Sequence, residues 1–209
     1  MKPLRNAVLG SLVLLALAPV VARADEGERN MYIVAKGGPY FPTATNAFTA
    51  LGDLSFTWPT AYTIEGGLGA YWGLFGLQLS AGYITTGTTT ATVGTTTTQT
   101  SMNAIPILLL ARLRLPLGFV APYLEGGAGV AIATSSFHDL NLSNTQAGFE
   151  AVGGAGCDLY FGPLIVGAEL RYIWLNPSFN FSGVTGVTSF TQSLNMSGIT
   201  IEAYIGYRF

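Results

Sequence analysis

The sequence predicts an all-β protein, an eight-stranded antiparallel up-and-down barrel that crosses a membrane after a cleaved signal peptide. Three features predict it. The chain is 49% hydrophobic and only 10% charged, with a mean hydropathy of +0.43, too apolar for an ordinary soluble domain. After residue 24 no stretch can span lipid as a helix: the most apolar, Ile105 to Leu115, falls short of the ~20 residues required and holds Pro106, Arg112 and Arg114. Eight segments alternate apolar and polar residues with period two. Lipid admits only helices and closed barrels, because an open sheet edge leaves N–H and C=O groups unpaired in hydrocarbon.

The leader comes first. Lys2 and Arg5 precede an apolar run from Ala7 to Val21, and Ala22-Arg23-Ala24 forms a small-x-small cleavage site. This is the layout of a secretory signal peptide over 1–24, with a short tail at 25–30 and the barrel over 31–209. The alternative, a permanent helical anchor, is disfavoured by the short run and by Pro19. Removing Lys2, Arg5 and Arg23 from the nine basic residues leaves six against eleven acidic, a formal charge of −5, which excludes nucleic acid as a partner. Cys157 is the single cysteine, so no disulfide framework, Cys-rich metal site or redox pair can be built, and no cofactor is expected.

The strand segments follow in order as Met31 to Pro42, Thr60 to Trp72, Phe75 to Thr86, Ser101 to Leu115, Pro122 to Thr134, Gln146 to Phe161, Leu164 to Asn176 and Asn195 to Phe209. In the last, Ile199, Ile201, Ala203, Ile205, Tyr207 and Phe209 share one face, and Glu202, Tyr204, Gly206 and Arg208 the other. The fourth and seventh segments repeat the pattern. Charges provide a sharper check, since Arg or Lys on the lipid face near midplane costs ~2–4 kcal/mol. Lys36, Glu65, Arg112, Arg114, Glu125, Glu150, Asp158, Glu169, Arg171, Glu202 and Arg208 all fall on the parity opposite the apolar set. They form a candidate ionic network in the lumen.

Short connections, Gly73-Leu74, Pro116 to Ala121 and Gly162-Pro163, alternate with long ones, Thr43 to Pro59, Gly87 to Thr100, Ser135 to Thr145 and Pro177 to Leu194. Tight turns on one side and surface loops on the other place both termini in the periplasm. Tyr71, Trp72 and Phe75 at one turn and Tyr160 and Phe161 at another read as an interfacial aromatic girdle. A turn at Gly118-Phe119 sets Arg112 directly opposite Glu125, a cross-strand ion pair.

These segments resemble the outer-membrane β-barrel family that includes OmpA's membrane domain and OmpX. The resemblance rests on Val34-Ala35-Lys36-Gly37-Gly38-Pro39-Tyr40-Phe41-Pro42, on Pro122-Tyr123-Leu124-Glu125-Gly126-Gly127-Ala128-Gly129 and on the terminal Phe209. It implies residence in the outer membrane of a Gram-negative cell envelope, in contact with lipid and lipopolysaccharide. It also implies an assembly signal read by the barrel-assembly machinery at Ile201, Ala203, Ile205, Tyr207 and Phe209. The chain departs from full-length OmpA by stopping at Phe209, so no cell-wall tether is expected.

A barrel of eight strands is only just wide enough to be filled by side chains, and buried charges demand pairing. The predicted function is non-catalytic, in envelope structure or in surface interaction through the loops. The alternative is a narrow channel for small or hydrophobic solutes, with Gly127, Gly129, Gly154 and Gly156 thinning the inner wall. Ser135, Ser136, His138 and Asp139 supply the residue types of a nucleophile relay, but neighbours in one loop are a poor basis for that geometry. His138 reads as a solvated loop residue and Cys157 as a thiol against lipid. The loop over residues 87–100 is Thr-rich and uncharged, with a β-propensity that extends strands above the membrane and a surface suited to a ligand such as sugar.

Overall fold

The computed structural model describes residues 31–43, 46–49, 52–56, 61–93, 96–137, 142–181, 190–193 and 195–209. The expected leader and tail, and His138 and Asp139, lie outside these residues. The strands are β1 (Met31–Pro42), β2 (Asn46–Thr49), β3 (Gly52–Phe56), β4 (Ala61–Trp72), β5 (Phe75–Val93), β6 (Thr96–Arg114), β7 (Val120–Phe137), β8 (Leu142–Phe161), β9 (Leu164–Leu175), β10 (Ser178–Phe181), β11 (Phe190–Ser193) and β12 (Gly198–Arg208).

Eight of these strands close a ring in the order β1, β4, β5, β6, β7, β8, β9, β12 and back to β1. Every neighbouring pair in it is antiparallel. Closure leaves the ring no edge strand. Alternation is strict in β4 and β12, where successive residues face the lumen and the outside in turn. The outward side chains include Ile64, Leu109, Leu124, Phe149, Leu170 and Ile201, all largely exposed. An apolar belt of this kind suits hydrocarbon and not water.

The short turns form at Gly73, Gly118 and Gly162, where φ is 63°, 78° and 64°, a region that L side chains adopt only with strain. At the opposite end the expected loops are largely strand. β5 runs on to Val93 and β6 starts at Thr96, so strands continue through the Thr-rich segment as its β-propensity predicts. The connection expected from Ser135 to Thr145 is shorter, since β7 reaches Phe137 and β8 begins at Leu142. Cross-strand hydroxyl contacts hold this extension, with Thr134 Oγ1 2.9 Å from Thr145 Oγ1 and Ser136 Oγ 3.3 Å from Ser143 Oγ. β2 and β3 lie in the first long connection, β10 and β11 in the last. At the turn end, Val120 and Ala121 join β7, so the expected turn from Pro116 to Ala121 is also shorter.

The β5–β6 register shifts between Thr85 and Thr88, a β-bulge with Gly87 at φ 65°. Thr86 Oγ1 repairs the ladder, donating to Met102 O at 3.0 Å and accepting from Met102 N at 3.1 Å.

The wall is uneven. β5 to β8 are 18–20 residues long, whereas β1, β4, β9 and β12 are 11 or 12. The β8–β9 ladder begins at Glu150 opposite Leu175, so residues 142–149 of β8 are paired with β7 alone.

Inside, aromatic rings lie over glycines on the adjacent strand: Tyr32 over Gly69, Tyr71 over Gly76, Tyr123 over Gly156 and Tyr204 over Gly167. A Cβ on any of these glycines would run into the ring beside it. Gly156→Val should therefore expel the Tyr123 ring and lower the midpoint at which the folded band is lost on unboiled gels. Leu109→Arg should destabilise the barrel by ~2–4 kcal/mol in urea-dependent folding into vesicles, because the charge faces the lipid belt.

Candidate functional site

The lumen holds three levels of side chains, each set by strand parity. At the turn end Tyr32, Tyr71, Tyr123 and Tyr204 form a buried group with Tyr160 packed against it. Tyr32 and Tyr71 stack with ring centroids 4.9 Å apart. Asp158 accepts from Tyr160 Oη at 2.9 Å, from Tyr71 Oη at 3.3 Å and from Tyr204 Oη. Three phenols thus satisfy one buried carboxylate without a cation.

The middle level is an ion-paired group. Lys36 Nζ lies 3.0 Å from Glu65 Oε1 and 2.8 Å from Glu169 Oε1. Arg112 Nε is 2.9 Å from Glu125 Oε2, its predicted cross-strand partner, and Nη2 is 3.3 Å from Glu169 Oε2. Arg171 reaches furthest: its guanidinium contacts Glu65 Oε2 at 3.1 Å, Glu125 Oε1 at 3.3 Å, Glu169 Oε1 at 2.6 Å and Glu202 Oε2. The planar fork of arginine suits several carboxylates at once. Tyr123 Oη donates to Glu169 Oε2 at 2.7 Å, and the Arg112 guanidinium sits 4.4 Å from the centroid of the Tyr123 ring. These seven charged residues come from β1, β4, β6, β7, β9 and β12, so the group ties opposite walls together.

The loop-end level is mainly apolar, with Tyr40, Ala61, Ile84, Met102, Ala104, Ala131, Ala133, Leu175 and Met196 in one buried cluster, beside the buried hydroxyls of Thr86, Ser135 and Ser197. Tyr40 donates its hydroxyl to Met196 O.

Not all of the predicted lumen residues join the network. Arg114 and Arg208 are half-buried at the turn end. Arg114 donates to Gly73 O and Tyr160 Oη, with its guanidinium 3.8 Å from the Tyr71 ring centroid. Arg208 donates to Gly162 O and lies 4.9 Å from the Tyr160 ring centroid. Glu150 is fully buried, and neither carboxylate oxygen has a hydrogen-bond partner among the described residues. The buried set is therefore acid-rich, with Lys36, Arg112 and Arg171 against Glu65, Glu125, Glu150, Asp158, Glu169 and Glu202, whereas the eleven inward charges of the sequence comprise six acids and five bases.

The girdle also needs correction. Trp72, Phe75 and Phe161 face outward, but Tyr71 and Tyr160 face the lumen, where their hydroxyls reach Asp158. Parity alone could have assigned them, since Tyr71 is six residues on from Glu65 and Tyr160 two from Asp158. Nor do the inner glycines thin the wall. A Cβ on Gly154 would lie 2.6 Å from Arg171 Cγ, and one on Gly127 2.7 Å from Leu110 Cδ2; the space at Gly156 is taken by Tyr123.

The sequence matches the model of the outer membrane protein beta-barrel domain family over residues 10–209. This chain belongs to that family. It resides accordingly in the outer membrane. No curated protein matches it in sequence. Among solved structures it is similar to the outer membrane protease OmpT of Escherichia coli, with 9% identity, TM-score 0.53 and coverage of 90% of this chain and 99% of that one. It is similar also to a major outer membrane protein of Thermus thermophilus, with 13% identity, TM-score 0.50 and coverage of 86% and 99%. The outer membrane protein AlkL in lipid bilayers matches at 11% identity and TM-score 0.50, covering 90% of this chain and 94% of that one. At these identities the likeness is one of fold.

Arg171→Met should cost about 3–5 kcal/mol, because it strands Glu202 as an uncompensated buried charge and leaves Glu65 and Glu169 to share Lys36 and Arg112. Adding Glu202→Gln to that variant should recover part of the loss, a coupling readable in a double-mutant cycle of unfolding midpoints.

Proposed function

We propose that this protein is a non-catalytic integral outer-membrane barrel with a plugged lumen, acting in envelope structure or surface interaction through its loop end. One observation carries the reading: the Lys36, Arg112 and Arg171 group spans the lumen and is itself buried, each cation within 3.3 Å of two or more carboxylates. Moving a solute through that level requires breaking buried ion pairs, at a cost of several kcal/mol each.

The loop end supports the second half of the reading. β3 adds to β5 through Ser55 opposite Thr92 and Phe56 opposite Ala91, and β2 adds to β3. The Thr-rich hairpin therefore belongs to a small sheet standing beyond the ring. An uncharged, hydroxyl-rich surface of this kind can meet the sugars of a host, a phage or a neighbouring cell. In this reading residues 1–24 are removed as a signal peptide, residues 25–30 form a short tail, and both termini face the periplasm. The belt meets outer-membrane lipid and lipopolysaccharide. Ile201, Ala203, Ile205, Tyr207 and Phe209, all outward and exposed, are the signal presented to the barrel-assembly machinery.

A narrow channel for hydrophobic solutes is the second reading, and the apolar loop-end level of the lumen favours it. The likeness to OmpT, a protease, brings no catalytic residue with it, and the middle-level acids here are engaged in ion pairs.

Planar bilayers separate the readings. The intact barrel should pass no steady current, and neither should Glu125→Gln; a steady current altered by Glu125→Gln would establish the channel. Deleting Phe209 should reduce the heat-modifiable folded form in outer membranes while leaving synthesis unchanged, as measured by immunoblotting unboiled samples.

A further inference from the structure

The two arginines outside the ion-paired group are held by one construction, made twice. Tyr71-Trp72-Gly73-Leu74 and Tyr160-Phe161-Gly162-Pro163 carry β4 and β8 into their turns, with both glycines at positive φ. Arg114 donates its backbone N–H to Leu74 O at 2.8 Å and its Nε to Gly73 O at 3.3 Å. Arg208 donates its backbone N–H to Pro163 O at 2.7 Å and its Nη2 to Gly162 O at 3.3 Å. Each guanidinium lies over the tyrosine that opens the motif, 3.8 Å from the Tyr71 ring centroid and 4.9 Å from that of Tyr160. Main chain, turn carbonyl and ring thus fix each side chain before any ligand arrives.

The ring of strands sets these two arginines facing one another. β6, which ends at Arg114, and β12, which ends at Arg208, lie four strands apart in the ring of eight. β8 stands midway, and its Tyr160 meets both: Arg114 Nη1 donates to the hydroxyl at 3.1 Å, and Arg208 lies over the ring. Two positive charges therefore converge on one tyrosine at the turn end. Among the described residues neither has a carboxylate within ion-pair distance, the Phe209 carboxylate included, whereas Lys36, Arg112 and Arg171 each have two or more. Asp158 is linked to Arg114 through the Tyr160 hydroxyl. Arg114 Nη2 and Arg208 Nη1 and Nε have no hydrogen-bond partner among the described residues, and both arginines are only half-buried.

We propose that Arg114 and Arg208 form a binding site for an anionic phosphate group at the turn-end mouth of the barrel. Fixed guanidinium forks match phosphate oxygens, which accept paired, charge-assisted hydrogen bonds. A tetrahedral phosphate turns oxygens toward two forks at once, whereas a planar carboxylate presents its two oxygens to one. The phosphate belongs to a soluble ion or ester or to a lipid headgroup, since Trp72, Phe75 and Phe161 beside the turns are exposed at the edge of the apolar belt. The site stands apart from the loop end and does not depend on whether the lumen conducts.

The test uses the full-length protein refolded from urea into phospholipid-free maltoside micelles. Phenylglyoxal labelling of each arginine, mapped by mass spectrometry, is compared in chloride and in inorganic phosphate at equal ionic strength, with N-acetylarginine as the internal reference. The proposal expects Arg114 and Arg208 to be labelled in chloride and protected roughly tenfold or more by saturating phosphate, as charge-assisted hydrogen bonds imply. Protection by inorganic phosphate assigns a soluble ligand; protection only after phosphatidylglycerol is added to the micelles assigns a headgroup. Labelling that neither slows overturns the proposal. So does an absence of labelling in chloride, because the guanidiniums are then out of a ligand's reach. Whichever probe protects should also bind saturably in phosphorus NMR, and the combined Arg114→Gln and Arg208→Gln variant should lose that binding while keeping its heat-modifiable band. A folded double variant that still binds overturns the site, and labelling of the wild type decides the case if the variant does not fold.

Discussion

Lipid cannot hydrogen-bond to a peptide group, and the rest of this structure follows from that. Each N–H and C=O in the hydrocarbon must find a partner in a neighbouring strand, so the sheet closes on itself. Closure at eight strands leaves an interior with room for side chains only. Those side chains must be small or mutually satisfied, which explains both the tyrosine rings seated over glycines and the cations locked among glutamates.

The three levels of the lumen solve the problem of burying polar groups in different ways. Phenols surround Asp158 at the turn end, where Tyr71, Tyr160 and Tyr204 converge on one carboxylate. In the middle, guanidinium forks answer the glutamates, and Arg171 alone engages Glu65, Glu125, Glu169 and Glu202. Toward the loops the wall turns apolar. A barrel tied across its middle in this way supports the proposed plugged lumen, in which contacts with other molecules fall to the strands that outrun the ring. The tall β5 to β8 side and the β2–β3 hairpin added to it give that end a shape of its own.

Much of this was legible in the sequence. Period-two alternation and the confinement of charge to one parity determined that the chain forms a membrane barrel, which side chains enter the lumen, and where the tight turns fall. The Arg112–Glu125 pair could be read from the turn at Gly118-Phe119, because antiparallel register is arithmetic once a turn is placed. Strand ends at the loop side were less evenly legible: β-propensity extended the strands through the Thr-rich segment, but Ser135 to Thr145 read as loop until hydroxyls pair across the β7–β8 ladder.

Apart from the Arg112–Glu125 pair, only the closed ring decided which inward charges meet. Parity names the face of a residue but not its height or its neighbours across the lumen, and these depend on strand tilt and on the order in which eight strands close. Arg171 and Glu65 are 106 residues apart on strands that never pair, and they meet because the barrel is narrow. The same geometry sends Arg114 and Arg208 to the rim, brings Tyr71 and Tyr160 to Asp158 and leaves Glu150 apart. The sequence by itself thus determined the architecture and the inventory of the lumen, because both follow from local periodicity; the pairing within that inventory belongs to tertiary structure, because it follows from distances across a closed cylinder.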